Sequence, residues 1–344
     1  MLTKNHLPLE QHKEMARTVS PALRWDGQSP VEIWRDTCRE TLWELLGMDT
    51  FALCEPIFEI TCEDTLGENR HVHFTLQTEE GYFTHCDLLL PPAQNDPLPL
   101  CVCLQGHSKG AHISLGVAKF PGDEEIIKGG DRDFALRAVK EGFAALAIEQ
   151  RAFGACGGTE NGPACERPAM TALLLGRTLV GERVWDVMRV LDAVESHFAD
   201  AITLRGSVLT GNSGGGTATY YAACLEHRFA GFMPSCAIST YRDSIINLHH
   251  CTCNYIPRIA RYFDMGDLAI LIAPKKLVVV CGRHDEIFPL HGVQEEFAIM
   301  QKLYRALGAE GNCALVVGEE GHRFYADAAW PVMQGLLSRE LEGN

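Results

Sequence analysis

From residue 99 onward, six short runs are dominated by apolar residues: "PLCVCL", "AALAIEQ", "GSVLTG", "GFMPSCAIS", "KKLVVVCG" and "NCALVVGEEG". Between them lie amphipathic stretches such as "RDFALRAVKEGF", "GERVWDVMRVLDAVES" and "VQEEFAIMQKLYRALG". A strand that reads apolar on both faces must be covered on both sides. Alternation of such strands with helices requires right-handed crossovers and a mostly parallel central sheet with helices on both faces, an α/β fold. Upstream the pattern changes. "HVHFTLQTEEGYFTHCDLLLPP" alternates and carries a turn signal at Glu80-Gly81, which predicts an antiparallel N-terminal hairpin at one edge of the sheet.

Ahead of the hairpin, "SPVEIWRDTCRETLWELLG" reads as a packing helix. Ser29 is its expected cap, Pro30 suits its first position, Gly47 ends it, and Trp34, Cys38, Leu42 and Leu45 share one face. No repeat, low-complexity tract or polar linker interrupts the chain. The expected organisation is an N-terminal helical extension over 1–51 and one α/β domain over 52–344.

The chemistry of an open α/β sheet sits beyond the carboxyl ends of its strands. After "GSVLTG" comes Gly211-Asn212-Ser213-Gly214-Gly215, followed by a helix rich in small residues. This is G-x-S-x-G, a strand-to-helix turn that lifts a serine off the sheet, with glycines where side chains would collide with neighbouring backbone. A serine nucleophile needs a base, and the base needs a group to orient it. "KKLVVVCG" ends in "GRHDEIFP", which presents Asp285; the last strand, "NCALVVGEEG", ends in "GEEGHRFY", which presents His322. The order Ser213, Asp285, His322, each on a strand-end loop, predicts a nucleophile, an orienting acid and a general base. Glu286 and Asp243 are lesser candidates for the acid. The oxyanion donors are expected to be the main-chain N–H of Gly214 and, from the loop "QGHSKGAH" after the first parallel strand, that of His107.

By these residues the chain resembles the α/β-hydrolases, and more narrowly their acetyl xylan esterase-like and dienelactone hydrolase-like branch. The resemblance runs from about Phe58 to the C-terminus through "DLLLPP", "LQGHSKG", "GNSGGG" and "GRHDEIFP". It implies a serine carboxylesterase acting on small acyl groups, often acetyl, with no cofactor. Two departures stand out. The branch usually has His-Gly at the oxyanion loop, where this chain has Gln105-Gly106-His107. Dienelactone hydrolases use a cysteine nucleophile, and Ser213 counts against that substrate.

Between "GFMPSCAIS" and "KKLVVVCG" lies an insertion, 241–271, whose position suits a small lid. Tyr241 and Tyr255 within it, and Gln105 beside the oxyanion loop, are candidate substrate contacts, with aromatic packing as the competing role. The same insertion holds "HHCTC", His249 to Cys253. Four ligands this close do not readily reach one tetrahedral metal, and no Cys-x-x-Cys complements them, so no metal is expected. Arg151, after the second parallel strand, is read as a structural anchor, and Trp185 and Asp186 as packing and helix-surface residues.

The net charge of −15 disfavours nucleic acid and anionic lipid as partners and suits a neutral small-molecule ester. "MLTKNHLPLEQHKEMARTV" lacks the basic start and apolar run of a leader, and no apolar run approaches the ~18 residues of a membrane span. The expected setting is cytoplasmic, with a homo-oligomer compatible with the sequence. Many of the 14 cysteines fall inside apolar runs and are expected to be reduced and to pack as small hydrophobes. Two rival functions are a serine peptidase of the prolyl-oligopeptidase type, disfavoured by the lack of any propeller, and a non-catalytic hydrolase-fold binding protein, disfavoured by the full set of three catalytic residue types.

Overall fold

A computed structural model describes residues 7–92, 96–159 and 162–342. Residues 1–6 of the expected N-terminal extension lie outside the described residues. Nine strands form one sheet: β1 (Phe58–Leu66), β2 (Asn69–Glu79), β3 (Tyr82–Leu90), β4 (Leu98–Leu104), β5 (Ala144–Ile148), β6 (Ile202–Asn212), β7 (Gly231–Ser235), β8 (Lys276–Gly282) and β9 (Cys313–Gly318). Their order is β1-β2-β3-β5-β4-β6-β7-β8-β9. The pairs β1–β2, β2–β3 and β3–β5 are antiparallel; every pair from β5 to β9 is parallel. The expected hairpin is therefore two strands of a three-stranded meander. β1, "FEITCEDTL", is exposed along nearly its whole length, so it carries no buried face for a period-2 signal to mark.

The helices are α1 (Pro8–Thr18), α2 (Val31–Leu46), α3 (Asp123–Gly130), α4 (Phe134–Lys140), α5 (Gly154–Gly157), α6 (Glu166–Leu174), α7 (Leu179–His197), α8 (Gly214–Leu225), α9 (Ile259–Tyr262), α10 (Leu290–Ala306) and α11 (Ala326–Glu342). Successive strand residues feed opposite faces. Leu100, Val102 and Leu104 of β4 join a core with side chains of α2, α7, α8 and α10. Cys101 and Cys103 join the other core with Phe134 of α4 and Trp330 of α11. All fourteen cysteines are free thiols, and those of β4 pack as small apolar groups. Every residue of α8 is buried, as befits a helix with no polar face.

Helix α2 begins at Val31 and ends at Gly47, which adopts φ 74° and donates to the Glu44 and Trp43 carbonyls. Ser29 is not its cap, because the Ser29 hydroxyl is held 2.6 Å from Asp26. Cys38, Leu42 and Leu45 are buried against the sheet core, with Trp34 partly buried beside them. Residues 241–271 form a series of one- and two-turn helices between β7 and β8, and Tyr241, Ile245, Ile256, Phe263, Met265 and Leu268 are buried in the same core. Among the described residues no helix is long and apolar enough to cross a membrane.

Topology selects one place for a site. After β4 the chain moves to β5 on one side; after β5 it returns past β4 to β6 on the other. The loops leaving β4 and β6 therefore diverge and leave a crevice at the carboxyl ends of these strands.

Candidate active site

Ser213 occupies the β6–α8 turn at φ 57°, ψ −122°, a conformation rarely adopted by a residue with a side chain. Such strain persists only where the surroundings enforce it. Here the Ser213 N–H donates to the Ser235 carbonyl at 2.9 Å, and the Ser213 carbonyl accepts from Thr217 at 2.8 Å. Glycine makes the turn possible by its size. A Cβ on Gly215 would lie 2.0 Å from the Leu104 carbonyl oxygen, and one on Gly211 would lie 2.6 Å from the Gly215 carbonyl. The start of α8 is thereby pressed between the ends of β4 and β6.

Asp285 and His322 meet across two loops. Asp285, after β8, accepts from His322 Nδ1, after β9, at 2.8 Å. Its other carboxylate oxygen accepts from the Ile287 and Phe288 N–H groups at 2.8 and 3.1 Å. Burial pushes the Asp285 carboxyl up, but the hydrogen bond and charge of His322 and the two main-chain donors outweigh it and hold the group below the usual carboxylate range. With Nδ1 committed, the other ring nitrogen of His322 is buried and has no hydrogen-bond partner among the described residues. The His322 ring stacks on Phe288 at 6.1 Å, which limits its swing. Asp243 is engaged elsewhere, by Arg242 and Thr240. Glu319 and Glu320 flank the histidine in ion pairs with Arg283 and Arg323. Sequence reasoning missed Cys236, a buried thiol beside Asp285 and His322 that gives no motif signal.

The β4 loop runs directly against the elbow. A Cβ on Gly106 would lie 2.8 Å from the Asn212 carbonyl oxygen and 3.1 Å from Ser213 Cβ. His107 follows, and its ring covers Gly214. The loop residues Gly106 and His107 and the first residue of α8, Gly214, thus crowd around the serine. The Gly214 N–H belongs to the first turn of α8, where no helical carbonyl is available to it and the helix dipole favours negative charge.

Gln105 is not placed to bind substrate. Its side chain is buried and donates to Glu149 at 2.6 Å, while its carbonyl accepts from Gln150. Glu149 also accepts from the Ala111 N–H at 3.0 Å, so one carboxyl clamps both ends of the loop carrying His107. This clamp gave no motif. Burial pushes the Glu149 carboxyl up to about 7, with the Ala111 and Ala155 N–H groups opposing the shift and Asp87 adding to it. A raised acid keeps its proton longer in the folded state. Its stabilisation is present below pH 4.5 and is lost as pH rises through about 7, on the order of 3 kcal/mol in total. Glu149→Gln, neutral at every pH, is therefore expected to flatten the loss of unfolding free energy between pH 5 and 8. Urea melts at those two pH values check this, and an unchanged slope would refute it.

Tyr241 is likewise corrected. It is buried in the core, with its hydroxyl bonded to that of Tyr221 and its N–H to Asp264. Tyr255 is partly exposed, but its hydroxyl donates to the Ile245 carbonyl, and the groove of about 180 Å³ it shares with Tyr241 and Arg258 is lined by neither Ser213 nor His322. Asp186, expected on a helix surface, is buried and holds Arg151 through two hydrogen bonds of 2.8 and 2.9 Å. Arg151 also pairs with Glu79 and lies over the Tyr82 ring, anchoring the loop after β5.

No family model matches the chain. The Bacillus subtilis protein named "Putative hydrolase YtaP" is 26% identical over 239 residues, 67% of this chain and 75% of that protein. The crystal structure of a "putative acetyl xylan esterase" from Bacteroides fragilis superposes with a TM-score of 0.76 at 16% identity, covering 91% of this chain and 83% of that one. A glucuronoyl esterase from Solibacter usitatus superposes with a TM-score of 0.68 at 16% identity, covering 94% and 98%. The fold is that of the α/β-hydrolases, as its sheet order and its structural neighbours agree.

Proposed function

We propose that this chain is a serine carboxylesterase that removes small acyl groups, acetyl above all, from a carbohydrate derivative. The observation that carries the reading is the strained Ser213 at the strand-to-helix elbow, in one molecule with a buried Asp285 bonded to a half-buried His322 whose second imidazole nitrogen is uncommitted among the described residues. The carbohydrate part is supported by the structural neighbours, esterases of acetyl xylan and glucuronoyl type.

In this mechanism His322 takes the Ser213 hydroxyl proton as the oxygen attacks the ester carbonyl. Asp285 fixes the ring by its Nδ1 proton and stabilises the imidazolium. The N–H groups of Gly214 and His107 receive the oxyanion. His322 then protonates the departing alcohol, and a second cycle with water frees the acid and restores Ser213. The substrate is neutral, in keeping with the chain's negative charge.

A panel of esters tests the reading by varying acyl length, sugar leaving group and, in a separate arm, esters whose acid is a sugar acid. Activity falling about tenfold or more from acetyl to butyryl on a sugar alcohol is the expected result, since each added methylene that does not fit costs ~1–3 kcal/mol. Preference for sugar-acid esters would move the substrate to the glucuronoyl class, and inertness toward all esters would remove the esterase reading.

A further inference from the structure

The geometry points to a structural zinc site formed by His107, Cys165, Cys251 and Cys253, which ties the loop after β4 to the 241–271 insertion and to the segment entering α6. The "HHCTC" run does not gather its own four candidates: His250 is engaged by the Ser244 hydroxyl at 3.0 Å. Its two cysteines instead meet two residues from distant parts of the chain. The ligand atoms of His107, Cys165, Cys251 and Cys253 all lie within 4.8 Å of one another, and His107 Nε2 is 3.2 Å from Cys253 Sγ. Tetrahedral zinc with Zn–S near 2.3 Å and Zn–N near 2.0 Å sets neighbouring ligand atoms about 3.5–3.8 Å apart, so small side-chain adjustments close the shell. Three thiolates and one imidazole form a soft set that favours zinc over hard cations, and with all four positions filled by protein it is a structural rather than a catalytic site.

A second observation is independent of the cluster's spacing. Arg183 of α7 is buried, donates to the Arg151 carbonyl and lies 3.4 Å from Cys165 Sγ. Its other neighbours are the Phe153 ring, 4.3 Å away, and the Cys253 thiol, and among the described residues no carboxylate pairs with it. A buried guanidinium with no anion is costly. Zinc bound to three thiolates and a neutral imidazole carries one net negative charge, which Arg183 balances. Binding replaces three S–H bonds by Zn–S bonds and releases three protons to solvent, with no change of oxidation state.

The site bears on the esterase reading through His107. Its side chain would hold the metal while its main-chain N–H faces Ser213, so the metal would fix an oxyanion donor. This last coupling rests on the proposed function; the metal site does not. The test is the metal content of the full chain, expressed with zinc and purified under reducing conditions without chelator. About one zinc per chain is expected, falling below about 0.2 in Cys165→Ser and Cys253→Ser, with the exposed-cysteine control Cys62→Ser retaining its zinc. Should those variants fail to fold, wild type stripped and reloaded with Co²⁺ serves instead. A thiolate-to-cobalt charge-transfer band, abolished by one equivalent of zinc, is then expected. A wild type that holds no zinc and takes up no cobalt, a disulfide among Cys165, Cys251 and Cys253, or full zinc in both serine variants would overturn the proposal. Zinc without esterase activity would leave the site standing and sink the function; esterase activity in a wild type that holds no zinc as purified and takes up no cobalt would do the reverse.

Discussion

Ser213→Ala is expected to lower kcat on p-nitrophenyl acetate by about 10⁴-fold or more while leaving the circular-dichroism spectrum and the urea midpoint close to wild type. The size follows from what the proposed mechanism loses: without the Ser213 hydroxyl, the proposed oxyanion donors, the Gly214 and His107 N–H groups, would have no attacking oxygen to serve. Stability changes little because, among the described residues, the removed hydroxyl makes no hydrogen bond, whereas the main-chain bonds to Ser235 and Thr217 remain. Alanine meets the same φ of 57° with no larger side chain. A variant that keeps wild-type turnover would place the nucleophile elsewhere.

Asp285→Asn is expected to cost about 10⁴-fold in kcat near neutral pH, with a smaller effect on KM. The direction is set by the two main-chain donors. The Ile287 and Phe288 N–H groups both point at one carboxylate oxygen, so the asparagine oxygen must stay with them. Its NH₂ group is then turned toward His322 Nδ1. That nitrogen would have to accept, the ring proton would move to the other nitrogen, and His322 could no longer take a proton from Ser213. Because Asp285 is held below the usual carboxylate range, it stays ionised throughout the neutral range. Its contribution to stability is present above the unfolded carboxyl's pKa of 3.8 and is lost as pH falls through its lower folded value. Steady-state kinetics from pH 5 to 9 check this. An Asp285→Asn protein with kcat within tenfold of wild type would reassign the acid.

The parts of the molecule that were legible in the sequence are those where one physical demand dominates. Strands buried on both faces leave continuous apolar runs, so β4 to β9 and their order of appearance could be read directly. The elbow was legible because backbone crowding around Gly211 and Gly215 admits only glycine, and Asp285 and His322 because strand ends are marked by the residues that terminate them. β1 was not, since an exposed edge strand has no buried face. Gln105 and Tyr241 were misplaced for a common reason. A polar side chain near a site in sequence can equally well be tied down behind it, and the ties, to Glu149 and to Tyr221, come from 44 positions downstream and 20 upstream. Asp186 shows the same limit, because the helical pattern of α7 does not reveal that Arg151 is waiting for its carboxylate. The thiol cluster illustrates it most sharply: Cys251 and Cys253 announce themselves, but His107 and Cys165 join them only once the sheet has been assembled.

The measurement that bears most directly on Ser213 as nucleophile is covalent labelling. Full-length protein treated with a fluorophosphonate, digested and mapped by mass spectrometry should carry one adduct, on Ser213, with labelling absent in Ser213→Ala and much slowed in Asp285→Asn. An adduct at any other residue, or none on folded protein, would contradict the account.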